Sequence, residues 1–117
     1  MSLFKRTPKP TANVIYTSDA GVVREIAVPV GSSVMEGAVT NGVDGIVAEC
    51  GGACMCATCH VFVDDAFLDK LEPIAEDEQE MLNTTFVPRR PNSRLSCQIV
   101  VTEALTGLSV TTPSAQQ

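Results

Sequence analysis

Four cysteines fall within ten residues, Cys50, Cys54, Cys56 and Cys59, and a fifth, Cys97, stands far downstream. An odd number of thiols cannot all pair within the chain. The first ten residues hold Lys5, Arg6, Pro8, Lys9 and Pro10 and no apolar stretch, so they read as a frayed basic arm and not as an export signal. Thiols stay reduced in the cytosol, which disfavours a disulfide framework and leaves the crowding to be explained by chemistry. Cys56 and Cys59 form the one C-x2-C pair. A zinc ribbon needs a second such pair, which Cys97 alone does not supply, although a structural zinc-binding interaction module stays open on the residues alone. A thioredoxin-like redox pair would use Cys56 and Cys59 and leave three thiols idle. The C-x2-C-x2-C run of 4Fe-4S proteins is absent.

What the spacing accommodates is a 2Fe-2S cluster, held by three thiolates on one loop and a fourth far away. Taking Cys50, Cys56 and Cys59 gives C-x5-C-x2-C. Sulfide and thiolate anions need backbone N–H donors brought close, which demands small residues in unusual conformations. Gly51, Gly52, Ala53 and Ala57 supply them. One cysteine is often just a small buried hydrophobe, but four at these intervals are not explained that way.

At 117 residues the chain has the size of a single domain, expected over residues 11–112 between a flexible arm (1–10) and a flexible tail (113–117). Apolar residues at 44% and charged residues at 19% exclude disorder and low complexity. Aromatics at 4% and the absence of Trp make the core aliphatic. No apolar run approaches the roughly 20 residues of a membrane span, so the chain reads as soluble, with no membrane partner. The formal charge of −6 is unevenly placed. Residues 64–80 carry Asp64, Asp65, Asp69, Glu72, Glu76, Asp77, Glu78 and Glu80 against Lys70, a net of −7, while the remainder is nearly neutral. Nucleic acid is disfavoured as a partner.

Alternation at Ala12, Val14 and Tyr16 predicts one strand. Residues 22–28 predict a second, with Val22, Ile26 and Val28 facing one way and Arg24 the other. The turn formers at residues 18–21 join them as an antiparallel hairpin. Ser33 and Glu36 fit a capping box opening a helix over residues 33–40, which Asn41, Gly42 and Gly45 stop, with a brief strand at residues 46–48. A strand is expected at residues 60–63, helical turns around Ala66, Phe67 and Leu71 and over residues 76–82, a buried strand over residues 94–102 and a last edge strand at residues 108–110. Without βαβ alternation the class is α+β.

The loop Cys50-Gly-Gly-Ala-Cys-Met-Cys-Ala-Thr-Cys-His-Val-Phe-Val63, then Met81-Leu82, then Pro91-Asn-Ser-Arg-Leu-Ser-Cys-Gln-Ile99 resemble the vertebrate-type (adrenodoxin/putidaredoxin-like) 2Fe-2S ferredoxins over roughly residues 11–112. The resemblance implies a β-grasp (ubiquitin-like) fold, a mixed sheet with a packed helix and an acidic helical segment. It implies a bacterial, cytoplasmic, monomeric one-electron carrier, not an enzyme, with one 2Fe-2S cluster. The donor implied is an FAD-containing, NAD(P)H-dependent ferredoxin reductase, and the acceptor a cytochrome P-450 monooxygenase. The ligands implied are Cys50, Cys56, Cys59 and Cys97, and His60 matches the histidine that ties the cluster loop to the body of the protein. Cys54 is either a small thiol packed under the loop or a spare ligand or oxidation-sensitive site. A Cys at this place also resembles the branch that supplies electrons for iron-sulfur cluster assembly, whereas Gly51-Gly52, Ala57-Thr58 and the apolar residues 61–63 resemble the monooxygenase-linked members. Met55 reads as a cap over the cluster. By the same resemblance Asp65, Asp69, Glu72, Glu76, Asp77 and Glu80 form a docking surface for basic patches, with Glu49 facing the acceptor. The chain ends Ala115-Gln-Gln117, without the terminal aromatic residue that some monooxygenase ferredoxins use in partner contact.

Overall fold

The computed structural model describes residues 10–43, 59–85 and 87–113. Strands β1 (Thr11–Thr17) and β2 (Val23–Pro29) form the expected antiparallel hairpin, with Val14 opposite Ile26 and Ala12 opposite Val28. Its turn closes through hydrogen bonds from Ser18 N to Val22 O (2.8 Å) and from Gly21 N to Ser18 O (2.9 Å). Gly21 sits at φ +86°, a conformation that a β-carbon would strain. Ala12, Val14 and Tyr16 are all buried, as their alternation predicts. The facing assigned to the second strand is corrected. Arg24 shares the parity of Ile26 and Val28, only those last two are buried, and Val22 lies before the strand, 61% exposed. The start of β2 pairs with Tyr16 and Thr17 within the sheet, but β2 is an edge strand and α1 packs against its later half, where Gly37 meets Val28, so the alternation is buried only there.

Helix α1 (Val34–Thr40) opens on the predicted capping box. Ser33 Oγ accepts from Glu36 N (3.0 Å) and Ser33 N donates to Glu36 Oε1 (3.1 Å). Its buried face is Val34, Met35, Gly37 and Ala38, and Gly42 beyond its end takes φ +67°. Gly37 is there for space: a β-carbon would stand 2.6 Å from Val28 Cγ2 and 2.8 Å from Tyr16 Oη. Neither neighbour has room to give. Val28 is fully buried, and the Tyr16 hydroxyl, whose pKa burial pushes up, donates to Val34 O at 2.7 Å. Gly37→Ala should therefore destabilise the protein by about 1–3 kcal/mol in urea unfolding, although alanine is the better helix former by about 1 kcal/mol.

Strand β3 (His60–Val63) is buried along its whole length. After it come α2 (Asp65–Leu68), opened by Asp64 Oδ1 accepting from Ala66 N, and α3 (Glu76–Leu82). The buried strand expected over residues 94–102 is corrected. Strand β4 (Ser93–Leu95) ends after three residues in a 3-10 turn at Ser96–Gln98, and only Val100 returns to ladder pairing, through an isolated bridge to Ser33. A second 3-10 turn, Glu103–Leu105, precedes β5 (Leu108–Thr111).

The expected edge position of β5 is also corrected, because the sheet order is β2-β1-β5-β3-β4. The last strand is the central one, parallel to β1 and antiparallel to β3. Its four residues look like an edge in sequence, but Leu108 and Val110 are fully buried, because the strand has neighbours on both sides. The result is the mixed β-grasp sheet expected, its core aliphatic apart from Tyr16 and Phe62. The predicted strand at residues 46–48, Gly45, and most of the arm and tail lie outside the described residues.

Candidate functional site

Two of the predicted ligands are described, and backbone geometry explains how residues so far apart in sequence meet. Cys59 immediately precedes β3 and is buried, and Cys97 is the middle residue of the 3-10 turn after β4. In the β3–β4 ladder His60 stands opposite Leu95, so Cys59 faces Ser96 one step on. Ser96 closes that step twice, its backbone N (2.9 Å) and its Oγ (2.7 Å) both donating to the carbonyl oxygen of Cys59. The turn after Leu95 thus presents Cys97 at the end of the sheet where the chain enters β3. Gln98 Nε2 in turn donates to Cys97 Sγ at 3.4 Å. Soft sulfur donors at one end of the sheet, with a polar hydrogen directed at one of them, are a donor set suited to iron in a sulfide cluster. Cys50, Cys54 and Cys56, with Glu49, Gly51, Gly52, Ala53, Met55, Ala57 and Thr58, lie outside the described residues.

His60 is buried and anchors the start of β3, directly after Cys59. Its Nε2 and Ser93 Oγ share a hydrogen bond of 2.8 Å, and Ser93 Oγ accepts from Arg90 N at 2.8 Å. Phe62 meets the imidazole edge to face at 4.7 Å, and the Arg90 guanidinium lies 4.2 Å over the Phe62 ring. Burial first, then the charges of Arg90 and Arg89, push the His60 pKa down to about 4, so the ring is neutral at neutral pH. A neutral imidazole suits a tie between β3 and the first residue of β4, which Ser93 passes on to Arg90 in the preceding loop.

Asp65, Asp69, Glu72, Glu76, Asp77 and Glu80 are all exposed, as a docking surface requires. The acidity of residues 64–80 needs one correction. Glu78 is 1% exposed and belongs to the core, leaving seven exposed carboxylates and Lys70 at the surface. Arg94 grips Glu78 with Nε on Oε2 (2.6 Å) and Nη2 on Oε1 (3.0 Å), and Leu95 N donates to Oε2 at 3.0 Å. Arg94 Nη1 also donates to Glu72 O at 2.9 Å. One arginine therefore ties the acidic segment to the strand that ends two residues before Cys97. Part of the acidity has a local cause as well: α3 has no side-chain cap at Ala75, and Glu76 and Asp77 in its first turn complement the helix dipole.

Sequence reasoning missed Glu78 because it counted the residue among surface charges. The available signal was its position four residues before the buried Leu82, on the same face of α3. Ser96 and Gln98 stand in the motif without a role of their own, since a short polar residue beside a ligand makes no pattern.

Residues 18–102 match the family model described as the 2Fe-2S iron-sulfur cluster binding domain. Rhodocoxin of Rhodococcus erythropolis is 50% identical over 103 residues, which cover 88% of this chain and 96% of that protein. Putidaredoxin of Pseudomonas putida is 46% identical over 105 residues, covering 90% and 98%. The crystal structure of the covalent putidaredoxin reductase–putidaredoxin complex matches at a TM-score of 0.85 and 47% identity over 87% of this chain and 98% of the matched one.

The chain is a putidaredoxin-like 2Fe-2S ferredoxin.

Ferredoxins of this family carry electrons, and one 2Fe-2S cluster is their cofactor. In that light the double tie of Ser96 to Cys59 spaces two sulfur donors, and the Arg94–Glu78 pair holds the acidic surface in a set relation to them. Among the described residues no helix is long and apolar enough to cross a membrane.

Proposed function

We propose that this ferredoxin takes single electrons from an FAD-containing, NAD(P)H-dependent ferredoxin reductase and delivers them to a cytochrome P-450 monooxygenase, working as a cytoplasmic monomer. Cys50, Cys56, Cys59 and Cys97 hold the cluster, which when bound supplies a one-electron site. The rest is the work of the polypeptide. Ser96 and Gln98 fix and polarise the Cys59–Cys97 end, and the exposed carboxylates at Asp65, Asp69, Glu72, Glu76, Asp77 and Glu80, with Glu49, orient a basic partner. The observation that carries this reading is the Arg94 tie from Glu72 and Glu78 to the strand leading into Cys97. It lets a partner held by the acidic segment approach the same end of the sheet as the thiols. The donor side has the support of a similar protein, since putidaredoxin forms a complex with its reductase.

The test is a reconstituted assay with a purified ferredoxin reductase and a panel of P-450 acceptors. Fields between solvated charges are screened over about 8 Å at physiological salt, so transfer should slow steeply as salt rises. The Asp69→Asn, Glu72→Gln, Asp77→Asn triple variant should raise the apparent KM for the ferredoxin several-fold, flatten the salt dependence and leave the cluster spectrum untouched. Asp19→Asn, in the β1–β2 turn, should change little. Unchanged kinetics in the triple variant would return these carboxylates to the role of a solvated face. Turnover with none of the P-450 acceptors, despite efficient reduction by the reductase, would remove the acceptor assignment.

A further inference from the structure

Gln98 is placed to act on the electron affinity of the site through Cys97. Its Nε2 donates to Cys97 Sγ at 3.4 Å, within the reach of an N–H···S hydrogen bond, and it is the neighbouring residue in a 3-10 turn. A freely exposed glutamine would trade that bond for water. Gln98 is half-buried, one wall of a cleft of about 80 Å³ that it shares with Leu71, Glu72, Arg94, Ile99 and Leu105. Arg94, which lines the same cleft, is itself locked by Glu78 and by Glu72 O, so that part of the cleft is held in place.

From this geometry we infer that the Gln98 carboxamide is a positioning residue that raises the reduction potential by holding a hydrogen-bond donor on the Cys97 sulfur. The inference rests on Cys97 being a cluster ligand, as proposed above. Two ferric ions, two sulfides and four thiolates total −2, and one added electron makes the total −3. A donor to a ligand sulfur interacts more strongly with the more negative state and so favours reduction. Backbone N–H groups do this in any such loop. A side-chain donor can be removed by substitution.

The experiment measures midpoint potentials by spectroelectrochemistry on the cluster-loaded protein, for wild type, Gln98→Met and Gln98→Glu. Methionine keeps an unbranched chain of similar length and removes the donor. Glutamate keeps the shape, removes the donor and adds negative charge. The expected order of potentials is wild type, then Gln98→Met, then Gln98→Glu, with visible and EPR spectra retained. Gln98→Met should lower the reduced-to-oxidised ratio at a fixed potential about tenfold, about 59 mV for a one-electron couple. Equal potentials in all three proteins overturn the inference. So does a Gln98→Glu potential equal to wild type beside a shifted Gln98→Met, which would make the effect one of packing. If one variant does not load, the other decides. If neither loads, Gln98 serves assembly of the site and the tuning role fails. Failure of the underlying assignment shows separately, as a Cys97→Ser protein that retains the normal cluster spectrum and potential.

Discussion

Glu78→Ala should cost the protein about 3–5 kcal/mol of unfolding free energy, because it leaves the Arg94 guanidinium buried and uncompensated. The magnitude reflects how completely the pair is enclosed. Arg94 and Glu78 side chains are 6% and 1% exposed, and both carboxylate oxygens are used, one of them also accepting from Leu95 N. Removing the carboxylate strands a charge and two kinds of donor at once, whereas an exposed pair of the same length is worth at most about 1 kcal/mol. Thermal unfolding should register the loss as a fall in Tm of roughly 10 °C or more. Arg94→Leu should be comparably damaging, and the double variant Glu78→Leu, Arg94→Leu should recover much of the deficit, since no buried charge is then left alone. A Glu78→Ala protein as stable as wild type would mean that the pair is not enclosed in solution. Because Arg94 also holds Glu72 O, both single variants should in addition weaken delivery to a docked partner, measurable below their unfolding temperature.

Serine at Cys50, Cys56, Cys59 or Cys97 should abolish the normal iron-sulfur absorption, while Cys54→Ser keeps it. A hydroxyl oxygen is a harder and poorer ligand than thiolate for iron in a sulfide site. Loss of the absorption in Cys54→Ser, with Cys56→Ser intact, would show that the loop uses a different triplet. The same four variants should lose stability, because a cluster spanning Cys59 and Cys97 cross-links positions about 38 residues apart, a closure worth about 4 kcal/mol in chain entropy. Chelating the iron from the wild-type protein should lower its Tm to match that of Cys97→Ser, and an unchanged Tm would remove the cluster's part in holding the fold.

Local pattern made much of this molecule legible. The capping box at Ser33 and Glu36, the hairpin closed at Gly21 and α3 stand where short-range chemistry puts them, and β3 where its apolar run marks it, although its ladder partners β4 and β5 lie far along the chain. The misreadings share one cause. Residues 94–102 are apolar enough to pass for a strand, but the chain must leave the ladder after Leu95 to turn Cys97 outward, and the bonds that reward the turn run from Ser96 to Cys59, 37 residues away. β5 looked like an edge because a four-residue strand carries no sign of how many neighbours it has.

The number, type and spacing of the thiols, the small residues among them, the aliphatic core and the concentration of carboxylates in residues 64–80 are properties of the sequence by itself; they favour a 2Fe-2S cluster, and the motifs at residues 50–63 and 91–99 with the family match over residues 18–102 add the family. The tertiary structure decided which of those carboxylates face water. Six predicted docking residues and Asp64 do, whereas Glu78 turns inward because Arg94 and the amide of Leu95 wait for it there. It also decided that Ser96 clamps Cys59 and that Gln98 reaches the sulfur beside it. A carboxylate, a hydroxyl or an amide reads the same in sequence whether it meets solvent or a partner. Its role is set by the energy of leaving water, and that energy depends on which distant atoms the fold brings within hydrogen-bond distance.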